Sequence, residues 1–147
     1  MKTTTSALLL SSTLLVFAAC SPDSKKQTIV GQWEGESHGQ KQTVIYNEDG
    51  SWTKIKGNDV KMSSDIDDTT KTLKYEVDYS KTPHAIDYVI FDKSNNEEVA
   101  RLKGIFEFLS DKTMRFYMEE AKYNVEKALV RPKEFDESKT IVLTRVQ

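Results

Sequence analysis

The sequence predicts an all-β domain: eight antiparallel strands running up and down into a closed barrel, with one short helix before the last strand. Three observations carry this. From residue 29 onward, apolar and polar side chains alternate with period two over strand-length stretches rich in β-branched and aromatic residues. Gly, Pro, Asn, Asp and Ser punctuate those stretches at short intervals. Only residues 119–131 change to helical spacing. Eight strands joined by short turns leave two open edges unless the sheet closes. A closed barrel of that size is just wide enough to be filled by side chains or to hold one small ligand. A two-sheet sandwich fits the same periodicity and is the alternative architecture.

The chain before residue 29 reads as export machinery. Met1-Lys2 gives a basic start, residues 7–10 and 14–19 supply the apolar part, and small Ala18 and Ala19 precede Cys20. Residues 1–19 therefore read as a secretory signal peptide. Ser11, Ser12 and Thr13 interrupt the apolar run, which is too short for a bilayer span. Phe17-Ala18-Ala19-Cys20 resembles the bacterial lipobox, with Phe17 where leucine is usual. That resemblance implies cleavage before Cys20, diacylglycerol on its sulfur and a palmitate-type acyl chain on the new amino terminus, making the bilayer a partner. Residues 20–28 form the lipidated cysteine and a polar tether, whose eight residues beyond Cys20 span roughly 25–29 Å when extended. Ser21, rather than Asp, follows the cysteine. This is similar to lipoproteins forwarded to the periplasmic face of the outer membrane in Gram-negative cells.

Residues 29–147 are then one domain. Cys20 is the only cysteine, so no internal disulfide can form, and the fold rests on its apolar core and hydrogen-bond ladder. A formal net charge of −2, without a basic patch, argues against a general nucleic-acid binder.

The strands follow in order: 29–36, 42–47 and 51–57, the last two joined by Asn47-Glu48-Asp49-Gly50, whose Asp-Gly pair suits a tight hairpin. Residues 58–70 are polar and read as loop. Strand 71–79 puts Leu73, Tyr75, Val77 and Tyr79 on one face and Lys74, Glu76 and Asp78 on the other, the mark of a half-buried antiparallel strand. Strand 85–91 is apolar at most positions, and strand 97–109 carries Gly104 as an expected bulge or sharp bend. In strand 113–118, Met114, Phe116 and Met118 share a face, and strand 140–146 ends the barrel. Between them, Ala121, Val125, Ala128 and Leu129 fall at i, i+4, i+7 and i+8, with acids at the start and bases toward the end, as in a surface helix stopped by Pro132.

Taken in sequence, seven pieces resemble a known pattern: Gly31-Gln32-Trp33, Asp49-Gly50, Tyr75-Glu76-Val77-Asp78, Pro83 with Ile86-Asp87, Gly104-Ile105-Phe106-Glu107, Arg131-Pro132-Lys133-Glu134-Phe135 and Leu143-Thr144-Arg145. The first is similar to the lipocalin Gly-x-Trp signature. The ordered set resembles a bacterial lipocalin-like domain common in planctomycetes, a family with no agreed activity. Phe106 stands where that family usually has tyrosine, and the segment before Arg131 is longer. The resemblance implies a lipocalin-like barrel whose narrow end is closed by Gly31, Trp33 and an overlying Arg145. It speaks to fold far more than to function.

Chemistry is sparse. His38 and His84 are far apart and have no metal-ligand spacing. Asp65, Asp67 and Asp68 lack the glycine and the closing glutamate of a calcium loop. Glu119 and Glu120 are adjacent, so on a helix they do not face each other. There is no nucleophile elbow, phosphate loop or zinc-protease helix. The expectation is a non-enzymatic, cofactor-free lipoprotein of the cell envelope that binds a small apolar ligand or lipid. Trp52, Tyr75, Tyr88, Phe106, Met114, Phe116 and Met118 are the candidate pocket residues. The alternative is a protein-interaction or inhibitor module acting on an envelope protein through loops such as 57–70.

Overall fold

The computed structural model describes residues 27–62, 70–119 and 129–146. The predicted signal peptide, Cys20 and most of the tether lie outside the described residues, as do Asp65, Asp67, Asp68 and positions 120–128 of the expected helix. Strand β1 (Gly31–Ser37) turns back into β2 (Gln40–Tyr46) through His38 and Gly39, both with positive φ (54° and 71°). A two-residue turn of that handedness matches the natural twist of the flanking strands. The next turn uses Gly50 alone at positive φ (82°), while the Asp49 carboxylate accepts from the Ser51 amide and hydroxyl at 2.9 and 2.6 Å.

Strand β3 (Trp52–Lys56) reverses through Gly57 (φ 61°) and Asn58 into β4 (Asp59–Met62), a strand where the sequence reads as loop. All four β4 residues are exposed, so no buried face marks the strand in the pattern. Its register with β3 is made by backbone pairing. Strands β5 (Lys71–Asp78), β6 (His84–Asp92), β7 (Glu98–Ser110), β8 (Thr113–Met118) and β9 (Ile141–Arg145) complete the set. The count is therefore nine, not eight, and the described residues contain no helix: Glu119 and residues 129–131, at the ends of the expected one, are turn or irregular.

The strands form one continuous antiparallel sheet in the order β4-β3-β2-β1-β9-β8-β7-β6-β5, so the sandwich alternative does not apply. First and last strands meet, with Trp33 opposite Arg145 and Gly35 opposite Leu143. The sheet curls as a half-barrel rather than closing completely: among the described residues, the edges β4 and β5 share no ladder. The β2–β3 turn bridges that seam instead, where the Tyr75 amide donates to the Gly50 carbonyl at 2.8 Å.

Gly104 is not a bulge. It pairs regularly with Ile86 and Met118, and the register shifts along β7 lie elsewhere, opposite the Ile90–Phe91 step of β6 and between Phe108 and Ser110. What demands glycine there is close approach, since a Cβ would come within 2.9 Å of the Tyr117 carbonyl. Gly35 is similarly squeezed between strands, where a Cβ would run into the Val142 carbonyl and the Leu143 side chain.

The concave face holds the core of Ile29, Trp33, Val44, Tyr46, Tyr75, Ile86, Phe106, Met114 and Leu143. Each fully covered large apolar side chain there contributes about 1.5–3 kcal/mol of transfer free energy. The convex face of β6–β8 is also covered: Ala85, Val89, Ile105 and Tyr117 point away from Trp33, yet all are buried. Residues 131–140 cross this face. Arg131 donates to the Gly104 carbonyl (2.7 Å) and pairs with Asp87 (2.6 Å), while the Arg115 guanidinium lies 4.0 Å from the Phe135 ring centroid.

Candidate functional site

One end of the half-barrel is plugged. Trp33 is 0% exposed, and its indole N–H donates to the Ile29 carbonyl at 2.7 Å. The Arg145 guanidinium lies 4.2 Å from the centroid of the Trp33 ring, an arrangement that contributes about 0.5–2 kcal/mol. The same guanidinium donates to the carbonyls of Val30 (2.8 Å) and Thr28. Tyr79, edge-on to the Phe106 ring at 6.0 Å, holds the strap, its hydroxyl accepting from the Ile29 amide at 2.9 Å. Gly31 keeps φ at 124°, and a Cβ there would sit 2.8 Å from Arg145 Nη1. Gly31, Trp33 and Arg145 are thus one structural unit, which also ties residues 27–30 across the plugged end.

Next to the plug lies a band of phenols. Tyr46 and Tyr88 share a hydrogen bond at 2.8 Å, and the Tyr46 and Tyr75 rings meet edge-on at 4.9 Å. The Tyr75 hydroxyl donates to the Asn47 carbonyl (2.5 Å), and the Trp52 ring lies 5.3 Å from Tyr88. Burial pushes the Tyr75 and Tyr88 phenols up to about 12 and holds Tyr46 well above the ordinary phenol range. These hydroxyls therefore remain protonated donors at any physiological pH.

The remaining candidates divide. Phe106 and Met114 are fully buried core, with Phe106 stacked edge-on to Phe108 (5.4 Å) and near His84 (5.1 Å). Phe116 and Met118 are only half-buried, on the same face but farther from Trp33. By alternation and register, Leu73, Ile90, Leu102 and Ile141 also turn inward at this distant end, and all are half-buried. On the opposing wall, Gln42 and Lys56 face the same interior as direct cross-strand neighbours. The seven candidates thus do not form one patch: Trp52, Tyr75 and Tyr88 cluster, Phe106 and Met114 fill the core, and Phe116 and Met118 line the open end.

His38 occupies the exposed β1–β2 turn beside the Ser37 hydroxyl (3.0 Å), and His84 Nδ1 lies 3.0 Å from the Lys81 carbonyl. Among the described residues, no group of three or more His, Cys, Asp and Glu is placed to hold a metal ion.

The convex face carries a charge cluster that sequence reasoning missed. Asp87 is buried between Arg101 (3.0 Å) and Arg131 (2.6 Å), and Arg101 also binds Glu76 and Glu98, each at 2.7 Å. The hydrogen bond to Arg101 lowers the Glu98 carboxyl below its usual range, and the same bond reinforces the charge on Arg101. The only signal was Asp87 itself, a carboxylate within an otherwise apolar strand, where a buried charge requires a cation. The cluster clamps residues 131–140 to the sheet and presents no cleft chemistry.

No protein-family model matches the chain, no curated protein is detectably similar to it, and no solved structure matches its fold.

Proposed function

We propose that this chain is a lipid-anchored lipoprotein of the bacterial cell envelope whose lipocalin-like half-barrel binds a small apolar or amphiphilic molecule at the end remote from Trp33. The observation that carries this reading is the gradient of cover along the concave face. Trp33, Phe106 and Met114 are sealed, whereas Trp52, Leu102, Phe116 and Met118 keep part of their apolar surface uncovered. A concave, mostly apolar wall with a few polar groups is the usual make-up of a small-molecule site. With the anchor at Cys20, the chain reaches Gln27 within roughly 25 Å of the membrane and enters the domain at the plugged end. The open end then faces away from the bilayer, toward ligand arriving through water.

Two measurements test this. Metabolic labelling with a fatty-acid analogue marks the wild-type chain and not Cys20→Ser; equal labelling of both rules out the anchor. Titration of the full chain carrying Cys20→Ser with the apolar fluorophore N-phenyl-1-naphthylamine gives saturable enhancement. A linear, non-saturating response rules out the pocket.

A second reading has its own support. Among the described residues, β4 is an edge of the sheet and leaves Val60 (52%) exposed, the arrangement to which a partner protein adds a strand. In that reading the domain is an interaction or inhibitor module of the envelope. Val60→Pro, which blocks strand addition, then abolishes partner capture and leaves fluorophore binding intact.

A further inference from the structure

The concave face holds a buried acceptor that its surroundings leave unanswered. Gln42 is 2% exposed, and its side-chain carbonyl Oε1 is buried without a hydrogen-bond partner. Buried acceptors are almost always paired, because stripping one of water without replacement is costly. Leucine or methionine would fill the same inner-face position without that cost. Directly across the ladder, on the same face, stands Lys56. It is half-buried, and among the described residues no carboxylate lies within ion-pair distance of it. Asp59, its register partner on the other side, is exposed and does not reach it. Lys54, one inner-face position along, is engaged elsewhere.

We propose that Gln42 and Lys56 form the polar end of the ligand site and select a single-chain amphiphile whose head carries both an anionic oxygen and a hydroxyl. The inference rests on the ligand-binding reading above and names the ligand class for that site. The Lys56 ammonium takes the anionic oxygen, and Gln42 Oε1 accepts from the hydroxyl. The acyl chain follows the half-covered wall toward Phe116 and Met118. A neutral hydrocarbon answers neither group, and a simple fatty acid answers only Lys56. Only a head with both functions satisfies the pair at once.

The test uses the full chain carrying Cys20→Ser, with N-phenyl-1-naphthylamine displaced by 1-palmitoyl lysophosphatidylglycerol, palmitate or 1-palmitoylglycerol. Lysophosphatidylglycerol, which carries anion and hydroxyls together, is expected to bind about tenfold tighter than either of the others. Gln42→Leu brings it down to the palmitate level and raises the melting temperature of the ligand-free protein, since an unpaired amide is replaced by a packed alkyl group. Lys56→Met brings it down to the 1-palmitoylglycerol level. Equal displacement by all three overturns the head-group assignment while leaving the apolar site standing; no fluorophore binding at all removes both. A fall in melting temperature for Gln42→Leu also overturns the assignment, because it shows that the amide already has a partner within the protein.

Discussion

Trp33→Phe isolates what the plug contributes. Phenylalanine keeps an aromatic face beneath Arg145 and most of the apolar fill, but removes the indole N–H that donates to the Ile29 carbonyl at 2.7 Å. That carbonyl then sits unpaired at the sealed end, at a cost of about 1–3 kcal/mol. The smaller ring adds roughly 1 kcal/mol for the space it fails to fill. The expected loss is therefore about 2–4 kcal/mol, below the 3–5 kcal/mol typical of truncating a buried tryptophan to alanine. Domains of this size have about 5–15 kcal/mol of stability in total, so the variant folds but melts markedly lower. Urea unfolding of the Cys20→Ser chain, followed by far-ultraviolet circular dichroism, measures the difference without relying on the tryptophan signal. A loss below 1 kcal/mol, or equal losses for Trp33→Phe and Trp33→Ala, would refute the account of an indole held by both a hydrogen bond and the packing around it.

Three further outcomes are expected. Asp87→Ala removes the carboxylate that Arg101 and Arg131 share, leaving Arg101 on Glu76 and Glu98 and Arg131 on the Gly104 carbonyl, and is expected to cost about 1–3 kcal/mol, with earlier proteolytic cutting within residues 129–140; unchanged cutting would detach Asp87 from the clamp. Gly35→Ala drives a Cβ into the β9 backbone and is expected to cost at least the roughly 1–3 kcal/mol of overpacking, whereas Gly39→Ala, with open space at φ 71°, costs only about 1–2 kcal/mol of backbone strain; thermal melts rank the two. In an alkaline titration followed by ultraviolet absorbance, Tyr46, Tyr75, Tyr88 and Tyr117 ionise late, because burial raises all four in the folded state. A raised folded value stabilises fully below the ordinary phenol value of 10 and is lost as pH climbs above it, so unfolding should sharpen between about pH 10 and 12. Tyrosine absorbance that rises entirely near pH 10, with the fold intact, contradicts this.

How far the sequence could be read differs from element to element. Strand β5 was legible because its inner face is the covered one and burial imposes the period-two pattern, and β8 because Met114, Phe116 and Met118 alternate along it, although Tyr117 on its other face is buried too. Strand β4 was not, because an exposed edge strand needs only backbone pairing and its side chains carry no alternation of burial. The turn at His38-Gly39 was hidden for a related reason: left-handed φ at a histidine is permitted by the hairpin rather than announced by the residue. At Gly104 the expected bulge is absent because an isolated strand glycine signals either a bulge or a close approach, and the sequence does not separate the two.

The candidate pocket shows the same division. Alternation correctly turned Met114, Phe116 and Met118 to one face, but depth along the barrel depends on register between strands far apart in the chain. Tertiary structure alone sealed Met114 and left Phe116 and Met118 half-covered. The cluster of Asp87, Arg101 and Arg131 joins β6, β7 and the crossing segment; Asp87 in an apolar strand calls for a cation, but nothing local says which ones meet it.

By itself the sequence determined an all-β, barrel-like domain and the residues that share a face in β5 and β8, because those features repeat within a few residues along the chain. Only the tertiary structure decided where the seam opens, which end is plugged, and that Gln42 and Lys56 share an interior wall. Those are properties of which strands become neighbours, and neighbours are chosen by the balance of burial and hydrogen bonding over the whole sheet rather than by any one segment.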